Sequence, residues 1–172
     1  MNILIFGLGS IGQRHLRNIK ILNSKANIYA IRKSFHTPSL NNKNIPIKVD
    51  LKKKFDLNYF KSREEALKSR VKFNAAIICT PTSLHIDNLI WCIKNGINVF
   101  LEKPLSNNLK KIKLLENLLE RKNVIHMMGF QMKFDPLVLY LKKFLNKPIK
   151  KLGKLNFVNI HNGENIKNFH KY

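Results

Sequence analysis

Up to Met128 the chain alternates short apolar runs with amphipathic stretches. Ile3-Leu4-Ile5-Phe6 is unbroken apolar sequence that stops at a glycine, the pattern of a strand covered on both faces. A helix is predicted over Ser10–Asn23 and a second strand over Asn27–Ile31. Ser34–Asn44, rich in Ser, Asn, Pro and Thr, reads as a loop, and Leu57–Phe60 as a weaker strand. Ser62-Arg63-Glu64-Glu65 is a capping box that opens a short helix through Ser69. The apolar run Asn74–Cys79 is a strand ended by Thr80-Pro81-Thr82. Leu84–Asn95 is a helix stopped by Gly96, and Ile97–Leu101 is the next strand. Asn108–Lys122 has Leu109, Ile112, Leu115, Leu118 and Leu119 at helical spacing, and Val124–Met128 closes the series as a strand. Strands separated by helices imply an α/β fold: a doubly wound, mostly parallel sheet with helices on both faces.

Beyond Met128 the rhythm changes. Phe134–Asn146 carries an apolar stripe at Leu137, Leu141 and Leu145 and reads as a helix. Leu152–Ile160 is strand-like, and Asn162–Tyr172 is polar without a pattern. A single strand without a partner is not stable by itself, so this end is expected to be the stub of a longer domain.

The chemistry begins where the first strand stops, at Gly7-Leu8-Gly9-Ser10-Ile11-Gly12. Gly7 allows a tight turn, Gly9 allows close approach of a pyrophosphate, and Gly12 allows the helix to pack close to the strand. The helix start at Ser10 and Ile11 adds free N–H groups and a positive dipole end. Strand before and helix after are the context that makes this a dinucleotide fingerprint, so the sheet is of Rossmann type.

Bulk properties narrow the class. A chain of 172 residues, 44% hydrophobic, can bury a core of ordinary domain size. No apolar run approaches the ~20 residues of a membrane span, and Met1–Gly12 has no basic leading segment or cleavage site. Cys79 and Cys92 are too few for a disulfide framework and lack metal-ligand spacing, which suits thiols in a reducing cytoplasm. The net charge of +22 raises nucleic acid as a partner. Yet the lysines are scattered in pairs and triplets, as at Lys52-Lys53-Lys54 and Lys142-Lys143, with no aromatic residues interleaved to stack on bases. Solvated basic faces account for that pattern, and a nucleic-acid binder is the weaker alternative.

In a doubly wound sheet ligands bind outside the carboxyl ends of the strands, and the distinctive residues fall there. Arg32 and Lys33 follow the second strand, where a carboxylate would favour NAD. An arginine fork there suits the 2′-phosphate of NADP, while a plain surface basic pair is the competing interpretation. Thr80-Pro81-Thr82 can line a cofactor, with His85 either a contact or a structural histidine. Glu102-Lys103-Pro104 puts a lysine beside a carboxylate at the sheet edge. A half-buried Lys103 would orient a hydroxyl and share its proton with Glu102 in support, whereas an exposed ion pair would do little.

Taken together, Gly7–Gly12 with Arg14-His15, Ile78-Cys79-Thr80-Pro81-Thr82 with His85, Glu102-Lys103-Pro104-Leu105, and Gly129-Phe130-Gln131 leading to Phe134-Asp135-Pro136 resemble the N-terminal half of the Gfo/Idh/MocA oxidoreductases. The resemblance implies that Lys103 is the catalytic, substrate-orienting residue. It also implies that Cys79, Thr80, Pro81, His85, Glu102 and Gln131 lie along the cofactor, NADP or NAD. Two departures stand out. Gln131-Met132-Lys133 occupies a stretch that commonly holds an arginine, and the Asp-x-Gly-x-His motif of the family's second half is missing, His161-Asn162-Gly163 being no match.

The expected organisation is a dinucleotide-binding domain over 1–129, then a linking helix and the first strand of an incomplete α+β substrate domain over 130–172. The expected activity is hydride transfer between nicotinamide and a secondary alcohol of a sugar, cyclitol or nucleotide-sugar, with little turnover by this chain alone. Full-length relatives are expected to be homo-oligomers. A non-catalytic dinucleotide-binding or interaction module is the alternative from another class.

Overall fold

Successive side chains of a strand face opposite ways, and in the first strand both directions are apolar. Ile3 and Ile5 enter one hydrophobic cluster while Leu4 and Phe6 enter another. Such a strand is stable only between two helical layers, and the computed structural model, which describes residues 1–32, 38–146 and 156–161, shows that arrangement. The strands are β1 (Asn2–Phe6), β2 (Asn27–Ile31), β3 (Ser39–Leu40), β4 (Pro46–Ile47), β5 (Leu57–Phe60), β6 (Ala75–Ile78), β7 (Asn98–Leu101) and β8 (His126–Met128). The helices are α1 (Ser10–Leu22), α2 (Leu51–Phe55), α3 (Arg63–Lys68), α4 (His85–Lys94), α5 (Ile112–Arg121) and α6 (Pro136–Leu145).

Six strands form one parallel sheet in the order β5-β2-β1-β6-β7-β8, with Ile3 opposite both Ile28 and Ala75. This is a Rossmann-type α/β sheet, and its order reverses between β1 and β6, the topological switch point. One face packs Leu16 of α1 and Leu51 of α2 against Ile3, Ile5 and Ile28. The other packs Ile86, Leu89, Ile90 and Ile93 of α4 and Leu115 of α5 against Leu4, Phe6, Ile78 and Val99. Each fully buried aliphatic side chain contributes about 1.5–3 kcal/mol. Among the described residues no helix is long and apolar enough to cross a membrane.

Several local expectations are met closely. α3 is capped by Ser62, whose hydroxyl accepts from the Glu65 N–H, while the Glu65 carboxylate reaches back to the Lys61 N–H at 2.6 Å. Gly96 ends α4 with φ +67°.

Three expectations are corrected. The segment read as the loop Ser34–Asn44 includes, in its described part, the first strand of the hairpin β3–β4. Gln13 holds that hairpin: its amide donates to the carbonyls of Leu8 (3.0 Å) and Pro38 (2.9 Å) and accepts from the Leu40 N–H (2.7 Å). A helix expected from Asn108 begins only at Ile112. The Ser106 and Asn108 side chains capture the N–H groups of Asn108 and Lys110, competing with helix formation, and Lys111 takes φ +69°. Leu109, expected on the apolar stripe, is consequently 89% exposed. Of the strand expected at Leu152–Ile160, residues 156–160 are described and carry no regular structure, with no strand beside them among the described residues. Asn162–Tyr172 lies outside the described residues. The helix α2 was not foreseen, although Asp50 before Leu51-Lys52-Lys53 is an N-cap signal, and its carboxylate accepts from the Lys52 and Lys53 N–H groups.

The chain divides into two compact units, Met1–Phe130 and Gln131–Tyr172. The second contains a 3-10 turn, Gln131–Phe134, and α6. Asp135 caps α6 by accepting from Leu137 (2.9 Å) and Val138 (3.2 Å), with Pro136 at the first helical position.

Candidate functional site

Past the ends of the strands the ladder continues for one more residue on every line. The N–H groups of Arg32, Gly7, Cys79, Glu102 and Gly129 donate to Phe60, Ile31, Phe6, Ile78 and Leu101 respectively, at 2.8–3.2 Å. These residues therefore stand in a row along the carboxyl edge of the sheet, and the glycine loop lies at the switch point.

The three glycines do different work. Gly7 has φ +85°, and a Cβ there would sit 3.1 Å from the Cys79 carbonyl oxygen, so β1 and the end of β6 come close. A Cβ on Gly12 would drive into the Gly7 carbonyl. At Gly9 a Cβ would meet nothing within 4 Å, so open space lies before the middle of the loop. The Gln13 N–H is the first to bond back, to Gly9 O at 2.9 Å, and no side chain caps α1. The N–H groups of Ser10, Ile11 and Gly12 therefore have no partner within the helix. An open space facing a helix start that lacks a cap fits the phosphates of a dinucleotide.

Glu102 does not support Lys103 as expected. Its carboxylate accepts from His15 Nε2 at 2.8 Å, each side chain 21% exposed, and the His15 ring packs edge-on against Phe100 with centroids 5.1 Å apart. Lys103 is exposed rather than half-buried and forms no ion pair or side-chain hydrogen bond among the described residues. His15 was given no role from sequence, though it lies one helical turn past Gly12, in the Arg14-His15 pair that follows the fingerprint.

Cys79 is half-buried beside the same carboxylate. Burial first, and the Glu102 charge second, push its thiol up to about 12. The thiol is accordingly protonated at neutral pH and poorly nucleophilic. Iodoacetamide at pH 8 is expected to modify Cys79 far more slowly in the folded chain than in urea. Glu102→Gln is expected to speed the folded-state reaction, because removing the negative charge lowers the thiol pKa. Mass spectrometry of the Cys79 peptide reads both, and an unchanged rate in Glu102→Gln would remove the electrostatic contribution.

His85 is buried at the start of α4. It is 2% exposed, with Nδ1 2.7 Å from the Pro104 carbonyl and Nε2 2.7 Å from the Thr80 carbonyl. Both ring nitrogens face backbone carbonyls, the structural role that the sequence offered as the alternative. Thr80 is half-buried and Pro81 exposed, and Asn88 donates to Thr80 Oγ1 at 3.3 Å. Arg32 is half-buried at the end of β2, where its guanidinium bonds the Tyr59 hydroxyl. Burial raises the Tyr59 pKa, and Arg32 opposes that shift. Lys33 lies outside the described residues. Gln131 is exposed in the 3-10 turn of the second unit.

A sequence profile of the oxidoreductase family with an NAD-binding Rossmann fold, Gfo/Idh/MocA, matches residues 1–130. The chain belongs to this family. Its Gfo/Idh/MocA relatives include the myo-inositol 2-dehydrogenase of Thermotoga maritima, 30% identical over 135 residues, which cover 78% of this chain and 37% of that protein. The scyllo-inositol 2-dehydrogenase (NAD(+)) of Bacillus subtilis is 41% identical over 63 residues, 37% of this chain and 18% of that protein. The crystal structure of a probable dehydrogenase from Thermotoga maritima superposes with a TM-score of 0.63 at 28% identity, covering 83% of this chain and 40% of the other. The chain thus spans well under half the length of these Gfo/Idh/MocA relatives.

Proposed function

We propose that the chain is the dinucleotide-binding half of an NAD(P)-dependent oxidoreductase acting on a secondary alcohol of a sugar, cyclitol or nucleotide-sugar. The observation that carries this is the glycine loop at the switch point, with open space before Gly9 and the N–H groups of Ser10, Ile11 and Gly12 without a partner within the helix. The names of the inositol dehydrogenase relatives support the substrate class. The nicotinamide, when bound, supplies the hydride acceptor or donor. The Met1–Phe130 unit supplies the remaining parts. The glycine loop and the start of α1 hold the pyrophosphate, the Thr80-Pro81 loop lines the edge, and the Lys103 ammonium orients the substrate hydroxyl and shares its proton. Two free thiols, Cys79 and Cys92, suit a cytoplasmic setting.

Arg32 directs the preference toward NADP. A guanidinium that already donates to one oxygen has further N–H groups for a phosphate. Titration of the purified chain with NADPH and NADH, followed by nicotinamide fluorescence, is expected to show saturable binding that favours NADPH. Arg32→Ala is expected to weaken NADPH about tenfold, the factor that ~1.4 kcal/mol represents, and to leave NADH unchanged. Equal affinities in the wild-type chain would remove the NADP preference, and binding of neither nucleotide would remove the dinucleotide site.

A further inference from the structure

Lys103 has no side-chain partner of its own among the described residues, yet the residues on both sides of it are held by histidines from different helices. On one side the Glu102 carboxylate accepts from His15 of α1 at 2.8 Å, and the Glu102 N–H is fixed to Ile78 O at 3.0 Å. On the other side the Pro104 carbonyl lies 2.7 Å from Nδ1 of His85 of α4, and the Thr80 carbonyl lies 2.7 Å from its Nε2. Leu105, next along, packs on the core. We propose that His15 and His85 form a two-sided clamp that fixes the backbone of Lys103 while leaving its ammonium free, so that both are positioning residues for that lysine.

The proposal rests on the assignment of Lys103 as the substrate-orienting group, and it adds what holds Lys103 in place. A lysine carries about 2 kcal/mol of rotamer entropy. Its reach toward a hydroxyl is reproducible only if the backbone from which it starts is rigid. A lysine anchored by its own ion pair would be rigid but occupied. Anchoring the neighbours instead leaves the ammonium available. The clamp also joins α1, which opens with the glycine loop, and α4, which follows the Thr80-Pro81 loop, to the lysine segment. The three parts of the edge are thereby held to one another by side chains and not only by the sheet.

The two nitrogens of His85 can be tested separately, because an asparagine amide nitrogen occupies the place of Nδ1 and a glutamine amide nitrogen that of Nε2. His85→Asn offers a donor to Pro104 and none to Thr80, while His85→Gln does the reverse. Likewise His15→Gln keeps a donor to Glu102, and His15→Leu does not. Backbone 15N relaxation of the 172-residue chain reads the Lys103 amide directly. Its order parameter is expected near the rigid value of about 0.85 in wild type, His15→Gln and His85→Asn. It is expected to fall toward 0.6 in His15→Leu and His85→Gln, with the amides of Ile5 and Ala76 unchanged.

A Lys103 amide that stays rigid in either His15→Leu or His85→Gln would overturn the two-sided clamp. An equal fall in His85→Asn and His85→Gln, or a fall that spreads to Ile5 and Ala76, would reduce His85 to a general packing role and overturn it as well. Nucleotide titration of the same samples keeps the two ideas apart. A wild-type chain that binds neither NADPH nor NADH would remove the dinucleotide assignment and leave the relaxation outcomes to decide the clamp.

Discussion

Gly12→Ala is expected to displace α1 from the end of β1, lower stability by about 3 kcal/mol, and weaken dinucleotide binding at least tenfold. The added Cβ would penetrate the Gly7 carbonyl oxygen and lie 3.0 Å from the Gly7 carbonyl carbon, with the Cys79 Cβ 3.6 Å away on the far side. The obstructing atoms are backbone, so no rotamer change relieves them, and the cost falls at the upper end of the 1–3 kcal/mol range for overpacking. The retreat of α1 would also carry the N–H groups of Ser10 and Ile11 away from the phosphates. Gly9→Ala provides the control. Nothing lies within 4 Å of its Cβ, so the fold should be as stable as wild type while nucleotide affinity falls. Urea denaturation and NADPH titration of the two variants separate the effects, and wild-type stability in Gly12→Ala would refute the close-packing account.

Phe6→Ala is expected to cost about 3–5 kcal/mol, in the range for a fully buried phenylalanine. Phe6 is 1% exposed at the end of β1, with its ring edge-on to Trp91 at a centroid distance of 5.7 Å. It immediately precedes Gly7, so the cavity opens beneath the glycine loop. A domain of this kind has only about 5–15 kcal/mol of stability in total, so the variant approaches the unfolding threshold. Leu109→Ala, at an 89% exposed position, should change stability by no more than about 0.5 kcal/mol. A shift below 1 kcal/mol for Phe6→Ala in urea melts would show that the β1 core is not as tightly packed as its burial implies.

Legibility from sequence followed the range of the interaction. β2 and β5 were placed to the residue, and α1 to within one residue, because strand and helix periodicity and the glycine punctuation are local signals. Where side chains compete with the backbone over a few residues, local reasoning slipped, as at Ser106–Lys111, where the polar captures delay α5. The β3–β4 hairpin was missed because its anchor, Gln13, lies 25–27 residues earlier in the chain. In the candidate site the residue types at the sheet edge were readable, but their partners were not. Glu102 and Lys103 are adjacent in sequence, which suggests a pair, whereas His15 takes the carboxylate from 87 residues away.

The α/β class, the glycine loop between strand and helix, and the family are legible in the chain alone, because these reside in short-range patterns whose physics is repeated wherever the pattern occurs. Tertiary packing sets which groups meet at the carboxyl edge. It buries His85 between two carbonyls, leaves the Lys103 ammonium without an ion pair among the described residues, and gives Glu102 to His15. Such pairings depend on the register of β6 against β7 and on how α1 and α4 pack over the sheet. Sequence separation carries no information about either, since strands and helices bring distant residues within 3 Å as readily as neighbouring ones.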